Sequence, residues 1–253
     1  MSISKLSNLV DLLRYRSLHQ PDQKAFIFLR NGEIQAGSLT YQELDQQARA
    51  IAVHLEKLGT SGERALLLYP TGLEFIKAFF GCLYAGIVAI PVPMPDAVRI
   101  KRVFPRLELL VKDAQAKFVL TQSQNYSQLK ETSFQSLIEF WALDWIISDQ
   151  IPSQLAQEWQ QSELGGESLA YLQYTSGSTS TPKGVMVTHG NLMHHCGYLQ
   201  QAWGYTPNSI SATWVPHFHD YGLVDGLLQP LYIGIKCYLM SPVAFLQKPI
   251  RWL

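Results

Sequence analysis

Between Thr175 and Lys183 the chain reads TSGSTSTPK, with hydroxyl groups at Thr175, Ser176, Ser178, Thr179, Ser180 and Thr181, a glycine at Gly177 and a cation at Lys183. A backbone loosened by glycine can turn several N–H groups toward one point, and the hydroxyls and lysine add donors and positive charge. Such a set suits the oxygens of a polyphosphate, where positioning and charge neutralisation are most of what phosphoryl or nucleotidyl transfer requires. The same composition also describes a solvated Ser/Thr-rich linker. Residue order excludes a Walker loop: Lys183 follows Pro182, precedes Gly184 and leads into a β-rich segment rather than a helix.

A second group of chemically capable side chains lies in SATWVPHFHDYGLVDGLLQPLYIG, residues 211–234. Pro216 stops a strand there, and a helical pattern with small residues resumes after it. This places His217, His219, Asp220 and Tyr221 on a strand-to-helix loop, a common wall of ligand sites in open α/β folds. Zinc is a competing use, since His189, His194 and His195 lie close behind in sequence. No cysteine stands at a familiar zinc spacing, which weighs against it. A His–Asp pair serving only as a hydrogen-bonded loop is the other alternative.

The elements that must carry these groups alternate between apolar runs and helical patterns, which suggests βα units and a largely parallel sheet. An amphipathic helix opens the chain, through Leu6, Leu9, Val10, Leu12 and Leu13. AFIFLR and EIQAGSLT then flank Asn31–Gly32, a pair suited to a tight hairpin because both residues accept positive φ. Thr40 and Glu43 have capping-box spacing ahead of an apolar face through Leu44, Ala48, Ile51 and Leu55, with Gly59 past the last turn. Strands are expected at 65–69, IVAIPV, KFVLT and near Trp145–Ile147, with helices at 72–85, 99–114 and near 126–140. LAYLQYT and GVMVTH bracket the hydroxyl-rich run, which therefore joins two strands as a long hairpin.

Composition narrows the functional classes. The 253 residues are 47% hydrophobic, enough for a packed core, and 20 Lys plus Arg balance 20 Asp plus Glu. With no basic excess there is no long-range field to gather nucleic acid or anionic membrane, so an anion must be held by local geometry. Cys82, Cys196 and Cys237 are odd in number and widely spaced, which reads as buried thiols in a reducing compartment, and no secretory leader pattern is present at the start. The cytoplasm is the expected location. FIKAFFGCLYAGIVAIPVP, residues 75–93, approaches the length that crosses a hydrocarbon core of about 30 Å. Lys77 within it, the helix end at Gly86 and the β-branched tail favour a buried helix followed by a buried strand, with no integral membrane span.

YTSGSTSTPKGV resembles the phosphate-binding signature of the adenylate-forming superfamily, which includes acyl-CoA synthetases, luciferases, nonribosomal adenylation domains and fatty acyl-AMP ligases. LTYQELDQQARAIAVHL and GLEFIKAFFGCLYAGIVAIPV also resemble its early helices and strand. The form WVPxxHDxGL and the ending SPVAFLQKPIRWL are more particular and look like the fatty acyl-AMP ligases, although Tyr221 stands where a methionine is usual. The resemblance implies an α/β fold of layered, largely parallel sheets with flanking helices. It also implies activation of a long-chain fatty acid by ATP and Mg2+, giving acyl-adenylate and pyrophosphate, with transfer to an acyl carrier protein.

In that reading Lys183 and His219 are catalytic, and Thr175, Ser176, Gly177, Ser178, Thr179 and Lys183 hold the nucleotide. Trp214, His219, Asp220, Tyr221, Gly222, Leu223 and Gly226 form the substrate rim. Residues 1–165 or so would be a first subdomain, with the phosphate-loop subdomain beginning at about 166. The later motifs of the superfamily, including the acidic magnesium ligand and the C-terminal lysine, find no match here. The chain therefore reads as the first part of an adenylation domain, without its C-terminal catalytic domain and expected to be inactive alone. A fatty acid–CoA ligase, a loading adenylation domain of a polyketide or nonribosomal synthase, and a non-catalytic nucleotide-binding protein remain as alternatives.

Overall fold

The computed structural model describes residues 3–95, 100–131, 138–175 and 182–252. Helix α1 (Leu9–His19) is capped by Asn8, whose Oδ1 accepts from the Asp11 amide at 2.7 Å. Strands β1 (Lys24–Arg30) and β2 (Ile34–Thr40) form the expected hairpin, with Asn31 at φ 52° and Gly32 at φ 72°. The capping box forms as read: Thr40 Oγ1 accepts from the Glu43 amide, and Glu43 Oε2 accepts from the Thr40 amide, opening α2 (Tyr41–Glu56).

From there βα units run β3 (Arg64–Leu68), α3 (Leu73–Tyr84), β4 (Val88–Val92), α4 (Ile100–Ala114) and β5 (Phe118–Thr121). The helix expected near 126–140 is instead two described pieces, α5 (Ser123–Glu131) and α6 (Ile138–Trp141), before β6 (Asp144–Ile147). Strands β7 (Leu169–Thr175) and β8 (Lys183–Thr188) pair antiparallel, with Thr175 opposite Lys183. The remainder is α7 (His189–Ala202), β9 (Ser211–Thr213), the short α8 (Asp220–Leu223), a π turn (Val224–Leu228), α9 (Gln229–Ile233), β10 (Cys237–Met240) and α10 (Pro242–Gln247).

Two sheets result. The larger has the order β6-β5-β3-β4-β7-β8 and is parallel except for β8, while the smaller has the order β2-β1-β10-β9 and is parallel except for β2. Each takes strands from both sides of residue 165, so a division of the chain at that point runs through both sheets.

The period-two alternation of strands sends Ala65, Leu67, Phe118 and Leu120 to one face of the larger sheet and Leu66, Leu68, Val119 to the other. The first face packs on α2 and α3, and the second on α4, α5 and α6 through Leu110, Leu129 and Phe140. Helix α3 contacts both sheets and so lies between them. The apolar run at 75–93 is thus α3 followed by β4, both buried inside the fold, and no described helix is long and apolar enough to cross a membrane. All three cysteines are free and buried, and burial pushes the Cys196 and Cys237 thiols up to about 12.

One polar cluster ties the helical layer together. The Asp45 carboxylate, 2% exposed, accepts from Arg14 Nη1 and Arg49 Nε at 2.9 Å each and from the buried Tyr84 hydroxyl at 2.8 Å. Arg49 Nη1 also donates to the Ala156 carbonyl at 2.7 Å, so α1, α2, α3 and the segment after β6 meet at one carboxylate.

Candidate functional site

The larger sheet changes direction between β3 and β4, since β3 pairs β5 on one side and β4 on the other. Open α/β sheets bind ligands at the carboxyl ends of their strands near such a reversal. Strand β7 runs parallel to β4, with Tyr171 beside Ala89, so its end at Thr175 emerges at that same edge. Thr175 and Lys183 are both exposed there, and Lys183 makes no hydrogen bond or ion pair among the described residues. Ser176, Gly177, Ser178, Thr179, Ser180 and Thr181, predicted as the rest of the cradle, lie outside the described residues.

The base of the hairpin is braced by α4. Tyr174 donates its hydroxyl to Asp113 Oδ2 at 2.6 Å, and Arg106 Nη2 donates to the Thr175 carbonyl at 3.3 Å. Burial and the Asp113 carboxylate push the Tyr174 phenol well up, so it stays a donor. Gly184 is needed opposite it, because a Cβ there would stand 2.9 Å from the Tyr174 ring.

The second motif arrives from the other sheet. After β9 the chain crosses residues 214–219, and Gln173 Nε2, two residues before Thr175, donates to the Phe218 carbonyl at 3.0 Å. Strand β7 and the His/Asp loop, 45 positions apart at this bond, are thereby held side by side. His219 caps α8, and its Nδ1 lies 2.7 Å from Asp220 Oδ1, with both side chains 63% exposed. His217 points the other way: it is buried, stacked on Phe75 at 3.8 Å between ring centroids, and its Nε2 has no partner among the described residues.

Beside this junction α7, β7, β8, α8 and the π turn enclose a cleft of about 520 Å³. Asp220 and Tyr221 of the predicted rim line it. Trp214 does not, because its indole stacks flat on Phe245 at 3.9 Å. Leu223 is in the core, a Cβ on Gly222 would overlap the Pro216 carbonyl oxygen, and one on Gly226 would meet Thr213 Oγ1 at 3.0 Å. These two glycines therefore serve close packing of the helix on the preceding loop and strand.

Sequence reasoning missed the opposite wall. Helix α7 was not anticipated, and it contributes Asn191, His195 and Leu199 to the cleft, with Trp203 just past its end. Their i, i+4 spacing was a readable signal, as was the cap at Thr188, whose Oγ1 accepts from the Asn191 amide at 3.1 Å. The histidines of this region do not gather: among the described residues no group of three His, Cys, Asp or Glu side chains is placed to hold a metal ion.

Two histidines are instead held neutral. His189 Nδ1 accepts from the Leu9 amide at 3.3 Å, and burial lowers its pKa to about 4; burial lowers that of His217 to about 3. Both values lie below the unfolded value of about 6.5, so the unfolded chain binds more protons as the pH drops beneath it. Stability is then full above about pH 6.5 and falls toward pH 4 by about 1.4 kcal/mol per pH unit for each histidine. Urea denaturation at about pH 7 and about pH 5 is expected to show a smaller loss in His217→Gln than in the wild type. Identical pH slopes would mean that His217 takes up its proton equally in the folded and the unfolded chain.

A mostly parallel α/β fold, with β7 and the His/Asp loop joined near the carboxyl edge of its larger sheet and a cleft beside them, defines a protein of the open-sheet α/β class. The profile of the AMP-binding enzyme family matches residues 13–253, and the chain belongs to that family. It is 62% identical over 253 residues to the medium-chain-fatty-acid–[acyl-carrier-protein] ligase JamA of Moorena producens, covering 100% of this chain and 43% of that protein. It is 30% identical over 281 residues to the ligase TtuA of the same description from Teredinibacter turnerae, covering 97% and 43%. Among solved structures, the fatty acyl-adenylate ligase of L. pneumophila in complex with acyl adenylate and pyrophosphate superposes with a TM-score of 0.89 at 35% identity, covering 99% of this chain and 42% of that one. The chain thus spans less than half the length of these relatives.

Proposed function

We propose that this chain forms the nucleotide-gripping and acyl-binding part of a cytoplasmic ligase that activates a medium-chain fatty acid with ATP and passes the acyl group to an acyl carrier protein. The observation that supports the reading is the Gln173–Phe218 bond, which ties β7, the strand that leads into the hydroxyl-rich run, to the His/Asp loop whose Asp220 and Tyr221 line the cleft. The names of JamA and TtuA support the medium chain and the carrier acceptor.

In the proposed reaction a carboxylate oxygen bonds to the α-phosphorus of ATP while the bond from that phosphorus to the bridging oxygen breaks, releasing pyrophosphate. Two anions must approach, so the protein has to screen their repulsion and align the attacking oxygen. Lys183 and the hydroxyls of Thr175, Ser176, Ser178 and Thr179, with the Gly177 backbone, are assigned to the triphosphate. His219 is assigned to the carboxylate at the mouth, and the cleft behind Asp220 and Tyr221 to the hydrocarbon tail. A magnesium ion would neutralise phosphate charge, but the described residues do not converge three acidic groups, and no residue of this chain is assigned to it.

Incubating the full-length protein with octanoate, ATP and magnesium is expected to release pyrophosphate and, on adding holo-acyl carrier protein, to form the acyl thioester. Accumulation of free octanoyl-CoA with coenzyme A in place of the carrier would overturn the acceptor. Absence of pyrophosphate release with every fatty acid would overturn the activity.

A further inference from the structure

The wall of the cleft is uneven. Val187, Leu192, Leu199 and Trp203 offer apolar surface, and Asp225 sets a carboxyl group in the same wall. Tyr221, Val224 and Asp225 share a helical face by their i, i+3, i+4 spacing, so the turn that brings Tyr221 to the cleft brings Asp225 as well. The close packing of Gly226 on Thr213 seats the π turn against β9, and α7 packs across from it.

Asp225 Oδ1 is shielded from solvent and has no hydrogen-bond partner among the described residues. Among the described residues that line the cleft there is no lysine or arginine. Burial raises the carboxyl pKa, an effect that the neighbouring Tyr221 and His195 only partly oppose.

A saturated chain that ends short of Asp225 gains contact with the apolar wall. One that runs past it must cover the carboxyl group and remove what water remains, and hydrocarbon has no donor to give in return. Covering an unpaired carboxyl group costs more than the burial of a few methylenes returns. We propose that Asp225 limits the length of the acyl chain, acting as a specificity-determining residue in the wall of the cleft. This rests on the reading of the cleft as the site of the fatty-acid tail.

The test is the chain-length profile of kcat/KM for ATP-dependent pyrophosphate release by the full-length protein on hexanoate, octanoate, dodecanoate and hexadecanoate. Asp225→Leu is expected to raise the dodecanoate-to-octanoate ratio at least about tenfold, the scale on which apolar pockets distinguish chains by a methylene or more. Asp225→Asn, which keeps the shape and removes the charge, is expected to give an intermediate rise, and it decides the matter if the leucine variant does not fold. Profiles that keep the wild-type ratio, whether unchanged or lowered equally at all lengths, overturn the role of Asp225. A wild-type protein that releases no pyrophosphate with any of these acids overturns the fatty-acid reading instead.

Discussion

Lys183→Ala is expected to slow acyl-adenylate formation by the full-length protein about 10²–10³-fold, the loss seen when one preorganised donor to a developing anionic charge is removed. Lys183 starts β8 opposite Thr175, at the sheet edge where the hydroxyl-rich run leaves and re-enters. Its ammonium is exposed and makes no ion pair among the described residues, so its removal strips no structural partner from them. The thermal midpoint is therefore expected to stay at the wild-type value while the rate of pyrophosphate release falls. Lys183→Arg should recover only part of the rate, since a planar fork replaces a compact point charge. A wild-type rate in Lys183→Ala would remove this residue from the nucleotide site.

Asp45→Ala is expected to produce the largest loss of stability, toward the lower end of the roughly 3–5 kcal/mol that follows when one partner of a buried charge cluster is removed. Arg14 and Arg49 keep 29% and 23% exposure, so both guanidinium groups can regain some water. Tyr84 cannot, because its hydroxyl is fully enclosed and would lose its acceptor. At about 2–4 °C per kcal/mol for a chain of this size, the effect is readily seen by calorimetry. Asp45→Asn keeps an acceptor for Tyr84 and should fall between wild type and alanine. A midpoint unchanged in Asp45→Ala would show that the cluster adds nothing net.

Much of this molecule was legible because the signals are local. Asn31 and Gly32 both take positive φ, and the Thr40–Glu43 pair closes its capping box, each as its residue types require. The rim was harder. Trp214 sits one residue past β9 in a motif rich in candidate site residues, yet its ring faces Phe245, a partner 31 positions away that only folding brings near. His217 and His219 alternate in sequence but part company in the fold: one is stacked on Phe75 in the core and the other caps a helix at the surface. Helix α7 escaped notice because its apolar residues are diluted by three histidines and two glutamines, which blurs the amphipathic pattern.

By itself the sequence determined most strands and helices, the Thr40 capping box and the two motifs, since each depends on residues within a few positions of one another. Which strands became neighbours was decided only in three dimensions: β1 pairs with β10 across more than two hundred residues, and β7 joins a sheet begun at β3. Burying both faces of a parallel sheet requires partners from distant parts of the chain. That same closure placed β7 against the His/Asp loop and set Asp225 in the wall of a largely apolar cleft, an arrangement no spacing along the chain records.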